Sequence, residues 1–92
     1  MYYIYVLQSI PFPGDCYIGL TTDLKTRLKD HNNGKSPHTS KFLPWRLDCY
    51  TAITEEKTAY AFEKYLKSHS GRTFAKKRLR GYGALDKQKA VA

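Results

Sequence analysis

The run Tyr2-Tyr3-Ile4-Tyr5-Val6-Leu7 constrains the fold more than any other stretch, because six successive positions are aromatic or aliphatic. Neighbouring residues on a strand point to opposite faces, so a strand made from this run has two apolar faces, and both must be covered. Its aromatic and β-branched content favours extended backbone. The run therefore predicts a central strand over residues 2–8. A chain of 92 residues has room for one such core, and hence for one domain.

The remaining elements follow in order. Pro11-Phe12-Pro13-Gly14-Asp15 reads as a turn, and extended structure resumes over 16–20, so the first two strands form a hairpin with a longer loop than the tightest kind. Thr21, Thr22 and Asp23 suit a helix N-cap, and Leu20, Leu24 and Leu28 recur every four residues, which predicts a helix over 23–31. Asn32-Asn33-Gly34 stops it. Residues 32–44 are polar and contain proline, the pattern of an exposed loop of the length that often carries function. Residues 45–53 alternate imperfectly and predict a third strand. Thr54-Glu55-Glu56 offers a cap and an acidic first turn to a longer helix with a buried stripe of Ala59, Phe62 and Leu66. Ser70-Gly71 is expected to end it, and 73–80 to form a short basic helix held by Phe74 and Leu79. The reading is one domain over 1–80 and a frayed tail over 81–92.

The opening run has no basic leader and is broken by Gln8, Ser9, Pro11 and Pro13, so neither a signal peptide nor a membrane span is expected, and the protein is placed in the cytoplasm. Cys16 and Cys49 are too few for a disulfide framework and lack zinc spacing; they read as two reduced, half-buried thiols. Charge is more informative. Residues 1–63 hold seven basic and seven acidic side chains, whereas 64–92 hold nine basic ones against Asp86 alone, and these make up the net charge of +8. A one-sided basic segment is the footprint of a polyanion binder, although it is also what a solvated helix face looks like. Candidate phosphate contacts are Lys35 and Lys41 in the loop, then Lys67, Arg72, Lys76, Lys77, Arg78 and Arg80.

Reactive side chains gather around 17–31. Tyr17 and Gly19 share one strand face, while Arg27 and His31, four apart, share one helix face. Taken singly, each has an ordinary reading: the tyrosines as cross-strand packing, Arg27 and Glu63 as surface charges, and His31 as a favourable charge at a helix C-terminus.

Taken in order, Tyr3-Ile4-Tyr5, Tyr17-Ile18-Gly19, Arg27, His31 and Glu63 resemble the GIY-YIG nuclease family, in particular its small stand-alone bacterial members, the UPF0213-like proteins. The resemblance covers about residues 2–80. It implies an α+β fold with a three-stranded antiparallel sheet flanked by helices, and an endonuclease that hydrolyses DNA phosphodiesters with one divalent ion, Mg²⁺ or Mn²⁺, in repair, recombination or defence. Two positions depart from the family pattern. Tyr3 stands where the leading motif has glycine, and no asparagine follows Glu63; the second departure leaves open a nucleic-acid-binding module of the same fold with little or no cleavage, on DNA or RNA.

Phosphodiester hydrolysis needs a deprotonated water and a counter-charge for the phosphate oxygens. Tyr5 is the expected base, its phenol lowered from the usual value of roughly 10 by neighbouring donors or Arg27. The resemblance has Tyr17 orient water or phosphate and His31 join the same hydrogen-bond network. Arg27 would clamp phosphate oxygens, and Glu63 would be the one carboxylate on a metal ion that keeps most of its waters.

Overall fold

The structure is a computed structural model and describes residues 1–79, with side chains to Lys77. Three strands, β1 (Tyr2–Ser9), β2 (Cys16–Thr21) and β3 (Trp45–Ile53), form one antiparallel sheet in the order β2-β1-β3. The doubly apolar strand is therefore the central one, as its composition requires. Between β2 and β3 lie α1 (Leu24–Asn32) and a 3₁₀ turn (Ser40–Phe42). After β3 come α2 (Glu56–Lys67), α3 (His69–Phe74) and a five-residue π-helical turn (Ala75–Leu79). Among the described residues, no helix is long and apolar enough to cross a membrane.

The two faces of β1 feed two separate cores. Tyr5 and Leu7 point to the α1 side, where with Trp45 they pack against Leu24, Leu28, Phe42, Leu43 and Leu47. Ile4 points to the other side and packs with Ala59, Leu66 and Ala75, supported by Ile18, Leu20, Phe62 and Phe74. Each fully buried side chain of this size contributes about 1.5–3 kcal/mol of transfer free energy. The predicted leucine stripe is thereby corrected. Leu20 belongs to β2 and faces the second core, and only Leu24 and Leu28 lie on the helix, because Asp23 starts α1 by accepting the Thr26 N–H at 3.2 Å.

The imperfect alternation of β3 has a local cause. Val6 pairs with Cys49 and Leu7 with Leu47, so Asp48 is an extra residue at a bulge, and side-chain parity switches across it. Trp45 and Leu47 can then share a face with Tyr50, which pairs with Tyr5.

Four other expectations are corrected. Residues 32–44 are not simply an exposed loop: Thr39 is fully buried, and Asn32 grips the start of β3 by donating from Nδ2 to the Trp45 carbonyl at 3.0 Å and accepting its N–H. Thr54 does not cap α2; Glu55 occupies the cap position without a side-chain bond to the helix backbone, and Glu56 is the acidic residue of the first turn. Helix α2 stops at Lys67, where Ser68 ends it and also caps α3 by accepting the Gly71 N–H at 3.1 Å, so Ser70 and Gly71 lie inside α3. Cys16 is exposed rather than half-buried. The Leu79 and Arg78 side chains, Arg80 and the tail expected over 81–92 lie outside the described residues.

Candidate active site

Tyr5 is the centre of the cluster, and Gly19 is what lets it reach there. The two pair across β1 and β2, and the phenol lies over Gly19 so closely that a Cβ at this position would collide with the Tyr5 hydroxyl oxygen and Cζ. A side chain on residue 19 would push the hydroxyl away from its partners.

Those partners are fixed. The Tyr5 hydroxyl lies 3.0 Å from Nε2 of His31, and Nδ1 of His31 lies 2.8 Å from Oγ1 of Thr39. His31 is only 2% exposed and Tyr5 1%. A neutral imidazole donates from one nitrogen and accepts at the other, so each ring nitrogen has a matching partner. Thr39 is held in turn by its carbonyl, which accepts from Nε1 of Trp45 at 2.9 Å. Tyr17 closes the cluster, its ring centre 5.0 Å from that of His31 and 6.3 Å from that of Tyr5.

Two charges act on this group with opposite sign. Burial raises the Tyr5 phenol well above its ordinary 10.0; Tyr17 and Glu63 raise it further, while Arg27 works the other way. The expectation of a lowered phenol is thus overturned, because removing a phenolate from water outweighs one exposed guanidinium. Burial first and Arg27 second lower His31 below 6.5, with Asp30 opposing, so the ring is neutral at pH 7.

Glu63, on the α2 face turned toward the site, has a side chain 19% exposed and pairs with Lys67, four residues on, at 3.3 Å. Lys67 also sits over the Tyr17 ring, 6.0 Å from its centre, the outer reach of a cation–π contact. The structure thus brings Tyr5, Tyr17, Arg27, His31 and Glu63 into one neighbourhood and adds Lys67, which the sequence counts among the candidate phosphate contacts and not with this cluster. Thr39 was missed altogether; a threonine in a polar loop carries no signal of burial.

The remaining basic candidates are dispersed. Lys35 is exposed and pairs with Asp30 at 3.5 Å, and Lys41 is exposed on the 3₁₀ turn. Arg72, Lys76 and Lys77 are exposed on α3 and the π turn.

Comparison with known proteins agrees with this geometry. The sequence model of the GIY-YIG catalytic domain matches residues 1–82. A UPF0213 protein of Bacillus licheniformis is 34% identical over 85 residues, covering 87% of this chain and 86% of that protein. The solution NMR structure of the UPF0213 protein BH0048 from Bacillus halodurans superposes with a TM-score of 0.54 at 29% identity, covering 88% of each chain. The structure-specific endonuclease subunit SLX1 of Debaryomyces hansenii is 41% identical over 54 residues, which span 52% of this chain and 16% of that protein. The chain belongs to the GIY-YIG family.

Proposed function

We propose that the protein is a metal-dependent endonuclease that hydrolyses DNA phosphodiesters, with its single domain in residues 1–80. The observation that carries this reading is the buried chain from Tyr5 through His31 to Thr39, with Arg27 and Glu63 both acting on the Tyr5 oxygen. Buried tyrosine–histidine contacts are costly to arrange for packing alone, since every polar atom must find a partner.

In the proposed reaction the raised phenol does not need to ionise in advance. The neutral His31 accepts the Tyr5 proton at Nε2 while its Nδ1–H donates to Thr39. The Tyr5 oxygen takes a proton from the attacking water in the same motion. The water oxygen bonds to phosphorus, the bond to the leaving oxygen breaks, and that oxygen is protonated by solvent. Arg27 places its planar fork on the non-bridging oxygens, and the phosphate charge offsets the repulsion between Arg27 and protonated His31. Tyr17 orients the water or the phosphate.

The donor set suits a hard cation rather than a zinc cage. Among the described residues there is no group of three or more His, Cys, Asp or Glu side chains able to hold a metal, whereas Glu63 presents one carboxylate near enough to raise the Tyr5 phenol electrostatically. Mg²⁺ and Mn²⁺ accept one or two carboxylates plus waters and substrate phosphates. When bound to Glu63, such an ion would supply counter-charge to the phosphate.

A second reading, a nucleic-acid-binding module with weak or no cleavage, is favoured by the Glu63–Lys67 pair, which already gives the carboxylate a cation, and by the absence of an asparagine after Glu63. Incubating the purified protein with duplex, nicked, branched and single-stranded DNA and with RNA, with and without Mn²⁺, separates the two. Mn²⁺-dependent strand scission supports the nuclease; retention of all substrates uncut, with binding intact, supports the module.

A further inference from the structure

Beside the tyrosine cluster lies an open cavity of about 430 Å³, between β2 with its preceding turn and the helical segments after β3. That volume falls in the range of small-molecule sites, about 300–1,000 Å³, and exceeds what a bare ion needs. Tyr17 and Cys16 line it from the sheet, and Lys67, Arg72 and Lys76 from three consecutive helical elements. Among the described lining residues, those three are the cations and Asp15, itself exposed, is the one carboxylate.

We propose that this cavity is a second phosphate subsite, which takes the sugar–phosphate unit next to the phosphodiester held at Tyr5 and Tyr17 on the same strand. The inference rests on the nucleic-acid reading above and adds the path of the bound strand. Two residues belong to both places. Tyr17 lines the cavity while its ring contacts His31, and Lys67 lines it while its ammonium reaches Glu63 at 3.3 Å. A strand with one phosphate at the cluster therefore has its neighbouring unit at the cavity mouth.

The cations are also placed by construction. Gly71 packs so tightly against the end of α2 that an added Cβ would collide with the Tyr65 carbonyl, and the Ser68 cap fixes the turn between the two helices. This close approach carries Arg72 and Lys76 to the side where Lys67 emerges. A guanidinium fork and two ammonium groups suit non-bridging oxygens, and their combined charge outweighs the screened Asp15.

The test uses the full chain in EDTA, so that no turnover is required. Titration of the ¹⁵N-labelled protein with thymidine 3′,5′-bisphosphate is expected to shift the amides of Cys16, Tyr17, Arg72 and Lys76, and a short thymidine oligonucleotide is expected to displace the bisphosphate. Replacing both Arg72 and Lys76 by Gln is expected to weaken oligonucleotide binding about tenfold, whereas replacing the exposed Lys29 and Lys57 by Gln changes it less than about twofold. Absence of those amide shifts overturns the subsite. Equal weakening by the two double variants reduces it to diffuse attraction and also overturns it. Shifts that the oligonucleotide does not displace assign the cavity to a free nucleotide and remove the strand path. A parent that cleaves nothing overturns the nuclease reading alone, since each of these measurements is made without cleavage.

Discussion

Tyr5 packs in the core of the fold and is the base of the proposed reaction, and the two demands act on the same proton. Burial holds the phenol neutral, so in the proposed reaction the hydroxyl acts through a partner that takes its proton, and His31 at 3.0 Å is placed for that. Tyr5→Phe keeps the ring volume but removes the partner of the buried His31 Nε2, so it should still fold, lose about 1–3 kcal/mol of stability, and lose nearly all cleavage, whereas the exposed Tyr60→Phe should lose neither. Gel assays of both variants decide this. His31 adds a pH dependence. Its folded-state pKa lies below the unfolded value of 6.5, so the neutral ring contributes stability that is complete above pH 6.5 and is lost as pH falls from there toward the lower folded value. Melting temperature should drop between pH 7 and pH 5, and a flat profile would show that the ring is not held neutral. Thr39→Val removes the partner of Nδ1 and should cost about 1–3 kcal/mol in urea denaturation, while Thr39→Ser should retain most of it.

The elements were legible wherever one local pattern decided them. Six apolar residues in a row fixed β1 as the central strand, and the Asp23 cap with the stop at Gly34, whose φ is 74°, fixed α1 to within a residue. What sequence could not show came from contacts distant along the chain. The parity switch at Asp48 exists because β3 pairs with β1, and the burial of Thr39 exists because Trp45 and His31 hold it from opposite sides. The α2–α3 junction was misplaced for a related reason. Gly71 looked like a terminator, yet its lack of a side chain serves a close approach to the Tyr65 carbonyl inside the next helix. Gly71→Ala should therefore destabilise the protein, by about 1–3 kcal/mol as in other overpacked sites, although alanine is the better helix former. A urea midpoint equal to that of the parent would contradict the packing argument. For the candidate site, the order of motifs singles out Tyr5, Tyr17, Arg27, His31 and Glu63, which the fold brings into one neighbourhood. The direction of the Tyr5 shift and the entry of Lys67 depended on burial and on a side-chain position that no spacing encodes.

Over the whole molecule, charge and the candidate site meet at the β2 edge of the sheet, where Tyr17 faces Lys67. The excess positive charge follows Glu63 in the chain, and part of it returns to the candidate site through Lys67, which pairs with Glu63. Replacing Lys76, Lys77, Arg78 and Arg80 by Gln should weaken nucleic-acid binding and reduce the slope of log affinity against log salt by about 0.9 for each duplex phosphate contact removed, leaving the fold intact. An unchanged slope would show that this segment does not touch phosphate. In the proposed function a carboxylate on α2 and a phenol on β1 form one metal-dependent hydrolytic site. Glu63→Gln preserves shape and removes the charge. Its Mn²⁺-supported cleavage of DNA, measured beside the parent with affinity in EDTA as the control, tests that claim most directly. Cleavage should disappear while affinity stays the same or rises slightly as one repulsive charge leaves the phosphates. Full Mn²⁺-dependent cleavage by the purified variant would contradict it.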